Sequence, residues 1–189
     1  MLEAHDEIIK HRAVVADDWA VLRLDEGEAA DSVVLPEGKL IVPLAVWLAQ
    51  KATLAARLPD LGVWLGADER PETLADDVHK FSVIAVNFPK FSDGRGYSIA
   101  YNLRARLAYQ GELRAIGDVL RDQLFSMHRV GFDAYATRPD RNIHDALKGL
   151  SVFTEVYQAS WDEKQPLFRR HARTGIDASH DDRDLGAGI

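Results

Sequence analysis

Apolar residues in this chain fall into short continuous runs, each followed by a stretch in which they recur every three or four positions. The runs LGVWLG at 61–66, SVIAVNF at 82–88, GELRAIG at 111–117 and FDAYAT at 132–137 read as strands. SVIAVNF in particular is continuously apolar and β-branched, which is typical of a strand buried on both faces. The segments after the runs have the period of amphipathic helices. The pattern therefore predicts four consecutive βα units.

Strand and helix alternating in this way favour an α/β fold with a parallel sheet. The spacing suits a half-(β/α)-barrel or an open sheet with helices on both faces, and we favour the barrel-like curved sheet. In the first part of the chain, 1–42, the pattern suits a small antiparallel hairpin or peripheral, irregular extended strands. We expect a single α/β domain over 1–165, with βα units over 43–160 and a polar tail over 166–189.

Helix start and stop signals support these units. Pro43 suits a first helical position, because its missing N–H would have no partner there. Asp118 is a candidate N-cap for a helix over 118–130, and Gly131 would end that helix. The segment 70–81, with Pro71 in its first turn, predicts another short helix.

Composition mainly excludes functions. The net charge of −7 argues against binding to nucleic acid or to an anionic membrane. The chain has no cysteine and its seven histidines lack metal-binding spacing, so we expect no metal site. The longest apolar runs are far shorter than the roughly 20 residues of a membrane helix, and the charged N-terminus is no signal peptide. We expect a cytoplasmic protein, and a homo-oligomer is compatible with the sequence.

Candidate chemistry is concentrated in the loop FPKFSDGRGYS at 88–98, which follows a predicted strand. The carboxyl ends of parallel strands share one edge of the sheet, where ligands usually bind. Gly94 and Gly96 flank Arg95, and we expect them to take positive φ. With the N–H groups of the next helix, cationic and hydroxyl side chains could hold a phosphate, sulfate, sulfite or carboxylate. The predicted anion-binding residues of this loop are Lys90, Gly94, Arg95, Gly96 and Ser98.

The same loop has a plainer interpretation. It could be a strand-to-helix turn in which Asp93 and Arg95 form a structural pair, whereas a catalytic role would make Asp93 an acid or base and Tyr97 a proton donor. The loop is not a dinucleotide fingerprint, which would require glycine at Ile99, and it lacks the ending of a P-loop. Both interpretations stay open.

Two further candidates lie in RAIGDVLRDQ. Arg114 falls inside a predicted strand, and a buried charge needs a partner because burying it alone costs several kcal/mol. We add Arg114 to the anion-binding set. Asp118 is a third catalytic candidate, as an acid or base, besides its possible role as a helix cap. Asp122 lies one turn further on and could reach an arginine or a metal, or pair with a group at the surface.

A resemblance to a known family covers the middle of the chain. Residues 81–136, with the segments FPKFSDGRGYS and GELRAIGDVLRDQ, closely resemble the core of DUF934, a bacterial family of unknown function. Its members are often described as oxidoreductases involved in sulfite reduction. The resemblance assigns no role to any residue that it covers. Those residues include Phe88, Pro89, Lys90, Phe91, Asp93, Gly94, Arg95, Gly96, Tyr97, Ser98, Arg114, Gly117, Asp118, Asp122 and Gln123.

The resemblance and the residues leave three functions open. The protein could be an enzyme or accessory of assimilatory sulfite reduction that binds a small oxyanion at the strand-end loops. It could be a non-catalytic partner of a sulfite or nitrite reductase subunit, or a plain metabolite-binding module. The sequence has no motif for an electron carrier, so a cofactor is not identified and a true reductase would need a borrowed one.

Overall fold

Six strands of this protein run parallel and lie side by side in their order along the chain. The computed structural model describes residues 1–153 and 155–170, and in them it has nine strands and five α-helices. The strands are β1 (Leu2–Ala4), β2 (Glu7–Lys10), β3 (Ala13–Ala16), β4 (Trp19–Leu22), β5 (Lys39–Pro43), β6 (Leu61–Leu65), β7 (Val83–Phe88), β8 (Glu112–Gly117) and β9 (Ala134–Tyr135). The parallel set comprises β4 to β9.

The helices follow four of the parallel strands. They are α1 (Leu44–Leu54), α2 (Arg95–Ala105), α3 (Leu124–Arg129), α4 (Ile143–Leu147) and α5 (Leu167–Arg170). The short 3₁₀ turns are Ala55–Asp60, Pro71–Leu74, Val78–Lys80, Arg121–Gln123 and Lys148–Ser151. In the described residues no helix is both long and apolar enough to cross a membrane.

The first four strands, β1 to β4, form a long N-terminal hairpin whose two halves lie at opposite edges of the sheet. Its first half lies at one edge, where β1 pairs with β4, and its second half lies at the other, where β2 pairs with β3 and β9. Only residues 5–6 and 17–18 connect the two halves. A link of two residues spans at most about 11 Å, so the two edges must approach each other. The sheet is therefore curled into a half-barrel, as the sequence pattern favours.

The structure corrects the expectation of peripheral, irregular strands in the first 42 residues. β2 and β4 carry core side chains, since Ile8, Ile9 and Val21 are almost fully buried. Ile9 pairs with Tyr135, and a partner so distant in the chain leaves no signal in the local pattern. Within this part of the chain, residues 33–36 form no strand.

The helix predictions hold only in part. The strand β6 is followed by two 3₁₀ turns instead of the helix predicted over 70–81, whereas β5 and α1 form a βα unit. Asp118 is not an N-cap, because its N–H donates to the carbonyl of Phe88 at 2.8 Å and α3 begins only at Leu124. Gly131 ends α3 with a φ of +111°, as predicted. The predicted tail begins with α5, and residues 171–189 lie outside the described part.

The two faces of the curled sheet bury different side chains. Helices cover the outer face, where Trp47, Leu103 and many other apolar residues form the larger core cluster. The inner face is lined by strand residues, among them Trp19, Val83 and Ile116. Alternate residues of β8 lie on opposite faces, so Arg114 shares the inner face with Ile116.

Candidate functional site

The loop after β7 leads directly into α2, as the sequence predicts, but its glycines have other roles than the predicted ones. Neither Gly94, with a φ of −85°, nor Gly96 takes positive φ. A Cβ at Gly96 would lie 2.6 Å from the ring of Phe88, whereas a Cβ at Gly94 would meet no atom within 4 Å. Gly96 is therefore required because α2 begins in contact with the last side chain of β7.

Arg95 is held by carboxylates of its own chain. Its Nε and Nη2 donate to the two oxygens of Asp93 at 2.9 and 2.6 Å, and its Nη1 donates to Asp68. The backbone N–H of Arg95 also donates to Asp93, at 3.1 Å. These hydrogen bonds lower the pKa of Asp93 to about 2 and raise the pKa of Arg95. Asp93 thus occupies the place at the start of α2 that we predicted for a ligand anion.

Asp118 joins the loops after three neighbouring strands. One of its carboxylate oxygens accepts the backbone N–H of Phe91 at 2.8 Å, and the other accepts Nη1 of Arg138 at 3.1 Å. Arg138 in turn makes two hydrogen bonds of 2.9 Å to Asp140. The ends of β7 and β8 approach each other closely, because a Cβ at Gly117, whose φ is +91°, would lie 2.5 Å from the carbonyl oxygen of Phe88.

The other predicted residues of this loop lie at the surface or pack against Phe88. Lys90 and Ser98 are exposed. Tyr97 is partly buried and packs edge-on against Phe88, with the ring centroids 5.5 Å apart. Burial, reinforced by the charge of Asp122, raises the pKa of Tyr97, so its hydroxyl stays protonated at neutral pH.

The structure does not bring Arg114 to this loop. Arg114 is 1% exposed and lies on the inner face of the sheet. Its guanidinium donates to Asp17 at 2.8 and 3.1 Å and to Glu112 at 2.7 Å. Lys10 pairs with the second oxygen of Glu112 at 2.7 Å. The buried charge therefore has the partners that burial demands, and they come from the N-terminal hairpin and from β8 itself.

A cavity at the same strand-end edge contains residues that the sequence analysis did not single out. Its volume is about 490 Å³, and it lies between the segments that follow β8 and β9. Arg121 pairs with Asp145 across its rim at 3.0 Å, and Arg141 approaches Asp140 at 3.6 Å. The strand-end rule alone could have indicated it. Its lining residues are Val119, Leu120, Arg121, Asp122, Thr137, Asp140, Arg141, Asn142, Asp145 and Ala146.

A group of exposed or partly exposed apolar side chains lies next to this cavity. The rings of Phe125 and Phe153 are 4.9 Å apart, and with Val152 they line a groove of about 450 Å³ that shares Arg121 and Asp122 with the cavity. The side-chain amide of Gln123 donates to the carbonyl of Phe91 at 3.1 Å, so the backbone of Phe91 lies next to the segment that contributes Arg121 and Asp122 to the groove. We call Phe91, Phe125, Val152 and Phe153 the aromatic surface.

The described residues contain no group of three or more histidine, aspartate or glutamate side chains arranged to hold a metal ion. The charged side chains at the strand-end edge include two ion-pair clusters, one around Arg95 and one around Arg138.

A comparison with protein-family models identifies the chain. The model of DUF934, described as a bacterial protein of unknown function, matches residues 62–168. Comparisons with curated proteins and with solved structures gave no significant match. The matched region begins in β6, ends in α5 and contains the loop after β7, the cavity and the aromatic surface. Since it spans more than half of the chain, this protein belongs to the DUF934 family.

Proposed function

We propose that this protein is a non-catalytic partner of a reductase in assimilatory sulfite reduction, and that it binds that reductase through the aromatic surface. One observation carries the proposal: exposed rings lie beside strand-end loops whose arginines are neutralised by carboxylates of the same chain. Phe91 is 47% exposed and Phe153 is 60% exposed. Clustered exposed apolar side chains with a polar rim are typical of protein–protein interfaces.

The ion pairs of the loop argue against catalysis at Arg95. An oxyanion there would compete with Asp93 for both the guanidinium and the first N–H of α2. Asp118 is similarly engaged by the N–H of Phe91 and by Arg138, so both carboxylates already have partners within the chain. These contacts instead give the loop a fixed shape, which favours its use as a binding surface.

The test is a binding measurement between the full chain and a purified sulfite reductase. We expect a complex by calorimetry, with Phe153→Ser and Phe91→Ser each weakening it at least tenfold, about 1.4 kcal/mol. Leu48→Ser is the matched control, because Leu48 is 48% exposed but lies on α1, away from the aromatic surface. A reductase that does not bind, or that binds all variants equally, would contradict the proposal.

The cavity at the strand ends supports a second candidate, the binding of a small anionic metabolite. Its size is within the range of small-molecule sites, and Arg121, Arg141 and the buried Thr137 supply donors. Thermal stability would be measured with sulfite, sulfate, phosphate, adenylyl sulfate, flavins and nicotinamides. A ligand that stabilises wild type but not Arg141→Gln would assign the cavity. One that fails only with Arg95→Ala would assign the loop predicted from the sequence.

A further inference from the structure

A second polar cavity lies at the opposite edge of the sheet, at the amino ends of the parallel strands. It has a volume of about 270 Å³ and is enclosed by the tip of the N-terminal hairpin, the last turn of α3 and the segment after α4. This size suits a small ion or a short organic acid, whereas nucleotides and larger cofactors need more room. Its lining residues are His11, Arg12, His128, Asp133, Tyr135 and Leu150.

The hairpin tip has an unusual backbone. His11 and Arg12 form a two-residue turn between the paired residues Lys10 and Ala13, and both have positive φ, of 47° and 64°. Turns of this kind normally use glycine or asparagine. Strained conformations of this sort persist where the surroundings fix them and are frequent at binding sites. Here the turn is fixed by a hydrogen bond of 3.0 Å from the N–H of His11 to the carbonyl of Asp133.

The one carboxylate that lines the cavity is already neutralised. Asp133 accepts Nη2 of Arg104 and the N–H of Leu113, each at 2.8 Å. The hydroxyl of Tyr135 donates to the carbonyl of Phe132 at 2.9 Å. The groups left to bind a guest are therefore the guanidinium and imidazoles of the lining residues, all of which can carry positive charge.

Arg12 has no carboxylate within ion-pair distance among the described residues. Its Nη1 makes only a long hydrogen bond, 3.4 Å, to the carbonyl of Leu150. A guanidinium with five donors in a fixed fork suits an oxyanion well. We propose that this cavity binds a small oxyanion through Arg12 together with the imidazoles of His11 and His128. The site is independent of the aromatic surface.

Such a site depends on pH. Burial and the charge of Arg12 lower the pKa of His128, and Arg129 adds to the lowering, whereas a hydrogen bond with the backbone of Phe132 and the charge of Asp162 act in the opposite direction. His128 is therefore mostly neutral at neutral pH and gains its proton only below its ordinary pKa of about 6.5. Binding of an anion should strengthen as the pH falls through this region, because protonation adds charge and donors.

The test uses sulfate, which keeps its charge across the pH range, added to the full chain at constant ionic strength. By calorimetry we expect binding at least tenfold tighter at pH 5.5 than at pH 8, and at least tenfold weaker in Arg12→Asn. Asparagine tolerates positive φ, so this variant removes the charge without adding strain. Arg57→Asn is the matched control, because Arg57 likewise donates to one backbone carbonyl, that of Gly38, and lies away from this cavity.

His128→Gln provides a second variant should Arg12→Asn fail to fold, and we expect it to abolish the gain in affinity at low pH. Inorganic phosphate serves as a second probe of the same chemistry. The proposal is overturned if sulfate does not bind at millimolar concentration at pH 5.5. It is also overturned if Arg12→Asn and Arg57→Asn bind sulfate equally well, or if His128→Gln keeps the full pH dependence.

Discussion

Arg114 and Asp17, which are 97 positions apart in the sequence, form a buried ion pair across the inside of the curled sheet. The contact has two hydrogen bonds, of 2.8 and 3.1 Å, and both side chains are almost fully buried. Asp17 lies in the connection between β3 and β4 of the N-terminal hairpin, and Arg114 lies in the middle of β8. The pair therefore connects the hairpin to a central strand of the parallel set.

Replacement of Asp17 by asparagine should destabilise the fold strongly. The change removes one of the two carboxylates around Arg114, and breaking a buried ion pair typically costs about 3–5 kcal/mol. The measurement is the free energy of unfolding in urea. Asp18→Asn is the control, because the neighbouring Asp18 pairs with Lys39 at the surface and should lose no more than about 1 kcal/mol. Equal losses would contradict the buried role of Asp17.

Gly96→Ala should cost about 1–3 kcal/mol of stability, because the added methyl group would overlap the ring of Phe88. Gly94→Ala should change stability by less than about 1 kcal/mol, since the space around Gly94 is open and its φ is negative. Thermal or urea unfolding of the two variants checks this difference. If Gly94→Ala proved the more damaging, the turn and not the contact with Phe88 would explain the two glycines.

Asp118→Ala should loosen the loop after β7. The variant loses a hydrogen bond from the N–H of Phe91 and the contact with Arg138, and hydrogen bonds to a charged group contribute about 1.5–3 kcal/mol. We expect the amide of Phe91 to exchange its hydrogen at least about tenfold faster. Asp122→Ala, at an exposed position nearby, is the control and should leave that exchange rate unchanged.

Asp93 should keep its charge into strongly acidic solution. Its pKa of about 2 lies below the ordinary value for aspartate, about 3.9, because Arg95 donates to the ionised carboxylate. The pair therefore stabilises the folded state above about pH 4, and this contribution disappears as the pH falls through the folded pKa.

Carbon-13 NMR titration of the Asp93 carboxyl group measures this pKa directly. Arg95→Gln should return the pKa of Asp93 toward its ordinary value. Lys90→Gln should raise it only slightly, because Lys90 acts on Asp93 through its charge alone. A titration near pH 4 in the wild-type protein would mean that Asp93 and Arg95 are separated in solution.

The sequence predicted β7 and α2 well, because β7 is almost continuously apolar and α2 has a clear apolar stripe. It allowed for a small N-terminal hairpin but not for the place of that hairpin in the main sheet, since this place depends on the pairing of β2 with β9, more than 100 residues away. The helix predicted from Asp118 begins late because hydrogen bonds to the loop after β7 keep this segment extended.

The candidate site was predicted by position more successfully than by role. The strand-end rule brought Asp93, Arg95 and Asp118 to one edge of the sheet, where the structure places them. It could not show that Asp68 and Arg138 would complete ion pairs with them, since such contacts between loops follow from the curvature of the sheet. Arg114 shows the same limit, because its partner comes from the far end of the chain.

The position of the hairpin sets the order in which the chain can acquire its final form on the ribosome. Residues 1–22 are translated before β9, yet β2 has no partner at its outer edge until Tyr135 has been synthesised. The pairing of β2 with β9 therefore cannot form until more than one hundred further residues have been synthesised. We infer that the last parallel strand, and not the N-terminus, completes co-translational folding of this domain.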